Sequence, residues 1–339
     1  MVFMKFIYLC IMQTPDRDIS DSNAPAPGDS QQPPRGADSG TLVSAGQFLG
    51  SGAPMSIDLD AVLRKRAPKL RRRMPRWLVR RLEKIICQDE MNEMLRVAGG
   101  RRGSAFCRSV LDHLRIDVTV KGLDLLPPVS DTNVLFICNH PLGGLDGIAL
   151  IDFVASRYGV EPLFVVNDLL MAIEPLRDVF VPINKHGSQS RASARAVDEA
   201  FASTRPLIIF PAGLVSRRQR HGVIADMQWQ KMFIAKARAC SRTIIPLYFS
   251  GRNSSFFYKF AKFRASLGLK FNIEMVRLPR EVFRAAGSHF DILIGNPVAP
   301  GDIMLPGESM RDAADRLRNQ VYDLPNHYNL STSNASADN

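Results

Sequence analysis

The stretch Asn133-Val-Leu-Phe-Ile-Cys-Asn-His-Pro-Leu-Gly-Gly-Leu-Asp-Gly-Ile-Ala-Leu-Ile-Asp152 decides how the rest of the chain is read. Val134 to Cys138 is short, apolar, β-branched or aromatic, and bounded by polar residues, which is the pattern of a buried strand. Asn139 and His140 stand where that strand ends. Pro141 cannot continue a ladder, and Gly143-Gly144 supplies a loop free to take positive φ. From Asp146 the pattern becomes helical, with Asp146 expected as the cap and Ile148, Ala149, Leu150 and Ile151 as the apolar side chains. A strand that delivers a histidine to a glycine-rich loop, followed by an acid at a helix start, is where α/β proteins usually place an active site.

The chemistry this points to is base catalysis. Neutral imidazole accepts a proton near pH 7, and a carboxylate on its other nitrogen fixes the tautomer and stabilises the imidazolium. The loop holds no Ser or Cys nucleophile, and Cys138 falls within the strand. His140 and Asp146 would therefore activate a hydroxyl or amine on the substrate itself. The competing reading is a capped helix beside a histidine satisfied by backbone.

Outward from this stretch, short apolar segments alternate with helical ones. Strands are expected at Ile116–Val120, 133–138, Leu163–Val166, Val179–Ile183, Leu207–Phe210, Thr243–Phe249 and Phe290–Ile294. Helices are expected near 89–113, 147–158, 190–203, Gln228–Cys240 and 254–267. Strands separated by helices predict an α/β domain, a mostly parallel central sheet flanked by helices, over residues 115–327. In helix 254–267, Phe256, Phe260 and Phe263 share a face that reads as core packing. The alternative is the wall of an apolar ligand tunnel or an interfacial contact.

Before that domain, residues 64–81 carry ten Lys and Arg without an acid among them. Pro75 suits a first helical position, and Trp77, Leu78, Leu82, Ile85 and Ile86 recur on one face, so residues 56–114 are expected to include a basic amphipathic helix over 64–86. Such a helix with an interfacial Trp suits an anionic membrane surface; the alternative is a core-docked helix with a solvated basic face. Residues 13–55 are rich in Pro, Gly, Ser, Asp and Ala, and residues 2–12 are apolar with one lysine, read as a weak targeting segment or a non-native upstream start; residues 1–55 are expected to be disordered or a non-native extension. Residues 328–339 are expected to be a flexible tail.

The net charge of +11 implies an anionic partner. Membrane is favoured over nucleic acid, because the aromatic interleaving and motifs of nucleic-acid binders are missing. Five cysteines, at 10, 87, 107, 138 and 240, show no metal spacing and no even framework, which places the chain in a reducing compartment. No stretch reaches about 18 apolar residues, so no membrane span is expected.

Three further blocks add to the site. Phe180-Val-Pro-Ile-Asn-Lys-His186 ends in Lys185, a point charge at a strand end. Phe210-Pro-Ala-Gly-Leu-Val-Ser-Arg-Arg218 follows a strand; Gly213 permits close backbone approach, Ser216 can donate a bond, and Arg217, Arg218 and Arg220 can pair with phosphate or carboxylate oxygens. Ile244-Ile-Pro-Leu247 is an apolar strand with a proline. Together with Asn139-His140 through Asp146, these blocks resemble, in order, the four motifs of the glycerolphosphate and lysophospholipid acyltransferase superfamily, across roughly residues 115–300.

The resemblance implies a peripheral acyltransferase at the cytoplasmic face of the membrane. It would move a fatty acyl group from an acyl thioester, on acyl-carrier protein or coenzyme A, to the hydroxyl of a lysolipid in membrane lipid synthesis. His140 would be the base and Asp146 its orienting acid, with no bound cofactor or metal. Asn139, Gly143, Gly144, Lys185, Gly213, Ser216, Arg217 and Arg218 would bind substrate. An N-acyltransferase on an amino-lipid precursor and a non-catalytic lipid-binding scaffold are the alternatives.

The chain departs from the family at informative places. Five residues rather than four separate His140 from Asp146, so Gly143-Gly144 must absorb one; in a continuous helix, steps of about 100° would splay the two side chains. Lys185 stands where the family usually has Arg. Ala212 replaces the glutamate of the third motif and Leu214 its threonine, positions that in the family help hold a glycerol-phosphate end. The acceptor is therefore expected to be lysophosphatidate or an acylated amino-acid lipid, with glycerol 3-phosphate poor.

Overall fold

The structure, a computed structural model, describes residues 56–183, 189–219, 222–266 and 273–329. The expected disorder of residues 1–55, and the loop residues Lys185, His186, Arg220 and His221, lie outside the described residues.

The apolar run of the opening stretch forms β2 (Val134–Cys138), buried at all five positions. It is the middle strand of a seven-stranded sheet with β1 (Asp117–Lys121), β3 (Leu163–Asn167), β4 (Phe180–Ile183), β5 (Leu207–Ile209), β8 (Thr243–Phe249) and β9 (His289–Ile294), in the order β1-β9-β8-β2-β5-β3-β4. Every neighbouring pair is parallel except β8 with β9. The α/β, mostly parallel expectation is borne out, as are the positions of the seven strands to within a residue or so.

Side chains of β2 alternate between two cores, as strand geometry requires. Val134, Phe136 and Cys138 face one core, and Leu135 and Ile137 the other. On the first side pack α5 (Gly103–Leu114) and α6 (Leu145–Tyr158); on the second pack α7 (Gln189–Ala202), α8 (Met232–Ala239) and α11 (Met310–His327). Pro246 sits inside β8 without breaking it. Its carbonyl accepts Gly295 N at 2.8 Å just past the end of the β8–β9 ladder, so its missing N–H falls where that ladder has run out.

Helix α11 went unread in the sequence, although Ser309 caps it and Ala313, Leu317, Val321 and Leu324 mark one buried face. The fold also extends beyond residue 327: the Tyr328 hydroxyl donates to Ile294 O at 2.7 Å, which takes that residue out of the expected tail.

The basic region differs from the single helix expected over 64–86. It is three helices, α1 (Leu59–Arg66), α2 (Pro68–Arg73) and α3 (Arg76–Ile85). The breaks fall at Pro68 and Pro75, because a proline drives the residue before it out of the helical region; Met74 is extended at φ −91, ψ 121. Similarly, the helix read over 89–113 is two, α4 (Gln88–Ala98) and α5, divided where Gly99 turns left-handed at φ 59. Leu59, Leu63, Met74, Val79 and Ile86 close a small separate core with Val276, while Trp77 is 66% exposed. Much of the apolar face is thus docked on protein, and the tryptophan is not.

Val276 lies in a 3-10 segment, Ile273–Arg277, that leads into α10 (Leu278–Arg284). Helix α9 (Ser255–Ser266) packs beside it by Phe257, Tyr258 and Ala261. Phe256 and Phe263 are about half exposed or more, so the face read as core is the outer one. The segment 276–282 connects the basic helices to the site, since Leu278 and Val282 stand beside Gly143 and Gly144.

Candidate active site

His140 leaves the C-terminal end of the central strand. Asn139 precedes it and is 3% exposed; its amide nitrogen donates to Phe249 O (3.0 Å) and its oxygen accepts Phe249 N (2.7 Å). The end of β2 is thereby clamped to the end of β8. The chain then turns through Pro141 to Gly144. Gly143 has φ +80, and a Cβ there would lie 2.6 Å from Val215 Cγ2, so both conformation and space demand glycine.

Helix α6 begins at Leu145, with Gly144 as its cap, so Asp146 is the second helical residue and not the cap the sequence suggested. Its carboxylate turns back over the loop. Oδ2 accepts His140 Nδ1–H at 2.9 Å, Leu142 N at 2.9 Å and Gly143 N at 3.2 Å, and Oδ1 accepts Gly147 N at 2.9 Å. The extra residue between His140 and Asp146 is absorbed in the non-helical loop, and the two side chains meet.

Asp146 is fully buried. Burial pushes its pKa up, but the imidazole beside it and the N–H groups donated to it outweigh burial and hold the carboxyl below its ordinary range. An ionised carboxylate only accepts, so the proton of the neutral imidazole sits on Nδ1 and the lone pair of Nε2 is directed away from Asp146. The ring lies on Phe210, with centroids 4.0 Å apart and planes 19° from parallel. The arrangement can take a proton from a hydroxyl or amine at Nε2, with the resulting imidazolium held against Asp146.

The third block follows β5 past this ring. Phe210 supplies the stacking face, Gly213 turns at φ +64, and Ala212 is buried. Arg217 and Arg218 form β6 (Arg217–Arg218), paired antiparallel with β7 (Ile224–Ala225). Arg217 is partly buried over the Phe257 ring, 5.5 Å from its centroid, and Arg218 is exposed. Lys185 lies outside the described residues.

Two residues expected to touch substrate are placed differently. Asn139 spends its amide on Phe249. Ser216 is 1% exposed, and its hydroxyl donates to Asp226 Oδ1 at 2.6 Å. Asn139 holds backbone and Ser216 a buried carboxylate instead of facing a ligand, because buried polar side chains must find partners within the protein.

Sequence reasoning passed over Asp226 and Asn253. The Asn253 amide donates to Pro141 O (3.1 Å) and Leu142 O (3.4 Å), and Asp226 Oδ1 accepts His140 N at 3.1 Å. Neither belongs to a local pattern; each reaches the loop across more than 80 residues.

A family model described as acyltransferase matches residues 61–331. The lyso-glycine lipid O-acyltransferase of Bacteroides thetaiotaomicron is 39% identical over 268 residues, 79% of this chain and 97% of that protein. The lyso-glycine lipid O-acyltransferase of Phocaeicola vulgatus is 40% identical over 242 residues, 71% of this chain and 86% of that protein. Among solved structures, the 1-acyl-sn-glycerophosphate acyltransferase of Thermotoga maritima aligns over 74% of this chain and 83% of that one, at 16% identity and a TM-score of 0.39, too slight a likeness to build on.

Proposed function

The chain belongs to the acyltransferase family, and from that premise we propose that it is an O-acyltransferase joining a fatty acyl group to the hydroxyl of a lysolipid, with an acylated amino-acid lipid of the lyso-glycine kind as acceptor. The observation that carries the reading is the His140–Asp146 pair, 2.9 Å apart on a rigid loop at the end of the central strand. His140 Nε2 takes the acceptor's hydroxyl proton as its oxygen attacks the thioester carbonyl. Collapse of the tetrahedral intermediate breaks the C–S bond, and the proton returns to the departing thiolate, so ester and thiol are the products. The donor is an acyl thioester of coenzyme A or acyl-carrier protein.

Two observations favour the amino-acid lipid over lysophosphatidate. The names of the two relatives are one. The other is Ala212, a buried methyl at the third-motif position whose acid, in the family that motif resembles, helps hold a glycerol-phosphate end. Arg217, Arg218 and Lys185 retain positive charge for an anionic end, and an amino acid acylated on nitrogen keeps its carboxylate.

The lipid acceptor is met at the membrane surface. Exposed basic residues of α2 and α3, Arg72, Arg73, Arg76, Arg80 and Arg81, flank exposed Trp77 in the sequence, a pattern suited to an anionic leaflet, and no helix among the described residues is long and apolar enough to cross a membrane.

The test offers purified protein a lyso-glycine lipid, lysophosphatidate or glycerol 3-phosphate with each acyl donor, and identifies products by mass spectrometry. Ester formation on the lyso-glycine lipid is expected. Efficient acylation of glycerol 3-phosphate would overturn the acceptor, and an amide product would overturn hydroxyl attack in favour of amine acylation.

A further inference from the structure

Asp226 is 0% exposed and stands outside every block that resembles the family's motifs. Its side chain accepts three bonds: His140 N and Ser216 Oγ on Oδ1 (3.1 and 2.6 Å) and Trp229 Nε1 on Oδ2 (3.0 Å). Ser216 N in turn donates to His140 O at 2.7 Å. His140, Ser216 and Asp226 thus close a ring of hydrogen bonds that grips the His140 main chain at both its N–H and its C=O.

The main chain of Asp226 is itself fixed. Its N–H donates to the Tyr322 hydroxyl at 2.7 Å, and its carbonyl accepts Arg318 and the Gln219 amide at 2.8 and 2.7 Å. Tyr322 and Arg318 lie on α11, so the anchor of the His140 backbone is a helix on the opposite face of the sheet from α6, which carries Asp146. Three donors converge on the two oxygens of the Asp226 side chain, an arrangement that an amide, with one accepting oxygen, or an apolar side chain, with none, could not satisfy.

We propose that Asp226 is a positioning residue for His140, an inference that rests on His140 being the base. Asp146 fixes the ring at Nδ1, and Asp226 fixes the main chain that carries the ring. The two together set the direction of Nε2. A base displaced by even about 1 Å loses up to ~10²-fold in rate.

The test is Asp226→Asn, an isostere that keeps one accepting oxygen and sets an N–H against either Trp229 Nε1–H or the His140 and Ser216 donors. It is expected to lower kcat on the order of tenfold or more while the KM values of both substrates change little. The nitrogen-15 signals of the histidine side chains give a second readout; the His140 signal, identified by its loss in His140→Ala, should move as the ring shifts against Asp146 and Phe210. A filler role would leave both unchanged, and wild-type kcat with an unaltered His140 signal in folded Asp226→Asn overturns the proposal. Where that variant does not fold, Ser216→Ala decides. It removes one hydroxyl of the ring and is expected to lower kcat and move the same signal, and wild-type behaviour there is equally fatal. Full activity of His140→Ala would instead refute the base itself, a separate result.

Discussion

Replacing Asp146 by Asn perturbs the site with almost no change of shape, and the structure fixes which way the amide must turn. With its oxygen in the Oδ2 position, Asn keeps the bonds from His140 Nδ1–H, Leu142 N and Gly143 N and loses only that from Gly147 N. Turned the other way it would set its N–H groups against two backbone donors and reverse the histidine tautomer. The first orientation leaves one buried donor unsatisfied, about 1–3 kcal/mol of stability, and wins over the second, which leaves two. The imidazole therefore keeps its tautomer, and what is lost is the negative charge opposite the imidazolium. Two unit charges about 4 Å apart attract by about 4 kcal/mol at an effective dielectric near 20, equivalent to about 10³ in rate. The expected result is kcat down by about 10³ with substrate KM values nearly unchanged, and a melting temperature lower by several degrees, measured by thiol release and circular dichroism. Turnover of Asp146→Asn within about tenfold of wild type would refute the assignment of Asp146 as the charge that supports the base.

His140→Ala should lose about 10²–10⁴ in turnover and remain folded, which thiol release and a thermal melt together check. Because the folded pKa of Asp146 lies below its ordinary value, its contribution to stability is present above about pH 4 and lost as pH falls through the lower folded value; melting curves of wild type and Asp146→Asn should converge in that acid window, and a gap that persists there would contradict the shift. Arg217→Ala and Arg218→Ala should raise the acceptor KM more than the donor KM, by roughly tenfold if a charge-assisted bond is lost, and equal effects on both would remove them from acceptor binding. Gly143→Ala should lower kcat sharply, since its Cβ would meet Val215 at 2.6 Å in a positive-φ residue whose N–H serves Asp146; a wild-type rate would show the loop to be tolerant. Arg242 is fully buried and donates to the carbonyls of Val134, Ala200, Phe201, Ser203 and Arg205, so Arg242→Met should cost at least about 3 kcal/mol in denaturant unfolding without altering the KM of either substrate.

What the sequence made legible, and what it hid, divides by the range of the interaction. β2, β8 and α6 could be read because their apolar pattern repeats within a few residues, and the His140–Asp146 pair because both partners flank one glycine-rich turn. The basic helix was misdrawn because Pro68 and Pro75 fit helix starts as well as helix interiors fit the surrounding Arg and Leu; where the preceding residues Ala67 and Met74 leave the helical region decides for starts. Asn139 and Ser216 were assigned to substrate because both sit in the right blocks, but residue type does not tell whether a polar group faces a ligand or a neighbouring backbone. Burial tells that, and burial is a property of the packed chain. Asp226 and Asn253 were invisible for the same reason: the bonds that hold the His140 loop run to residues 226 and 253, brought there by strand order β8-β2-β5 and not by spacing. A histidine becomes a base only when its ring and its main chain are both held, so the chemistry of the pair read in one short stretch depends on groups that only the folded sheet assembles around it.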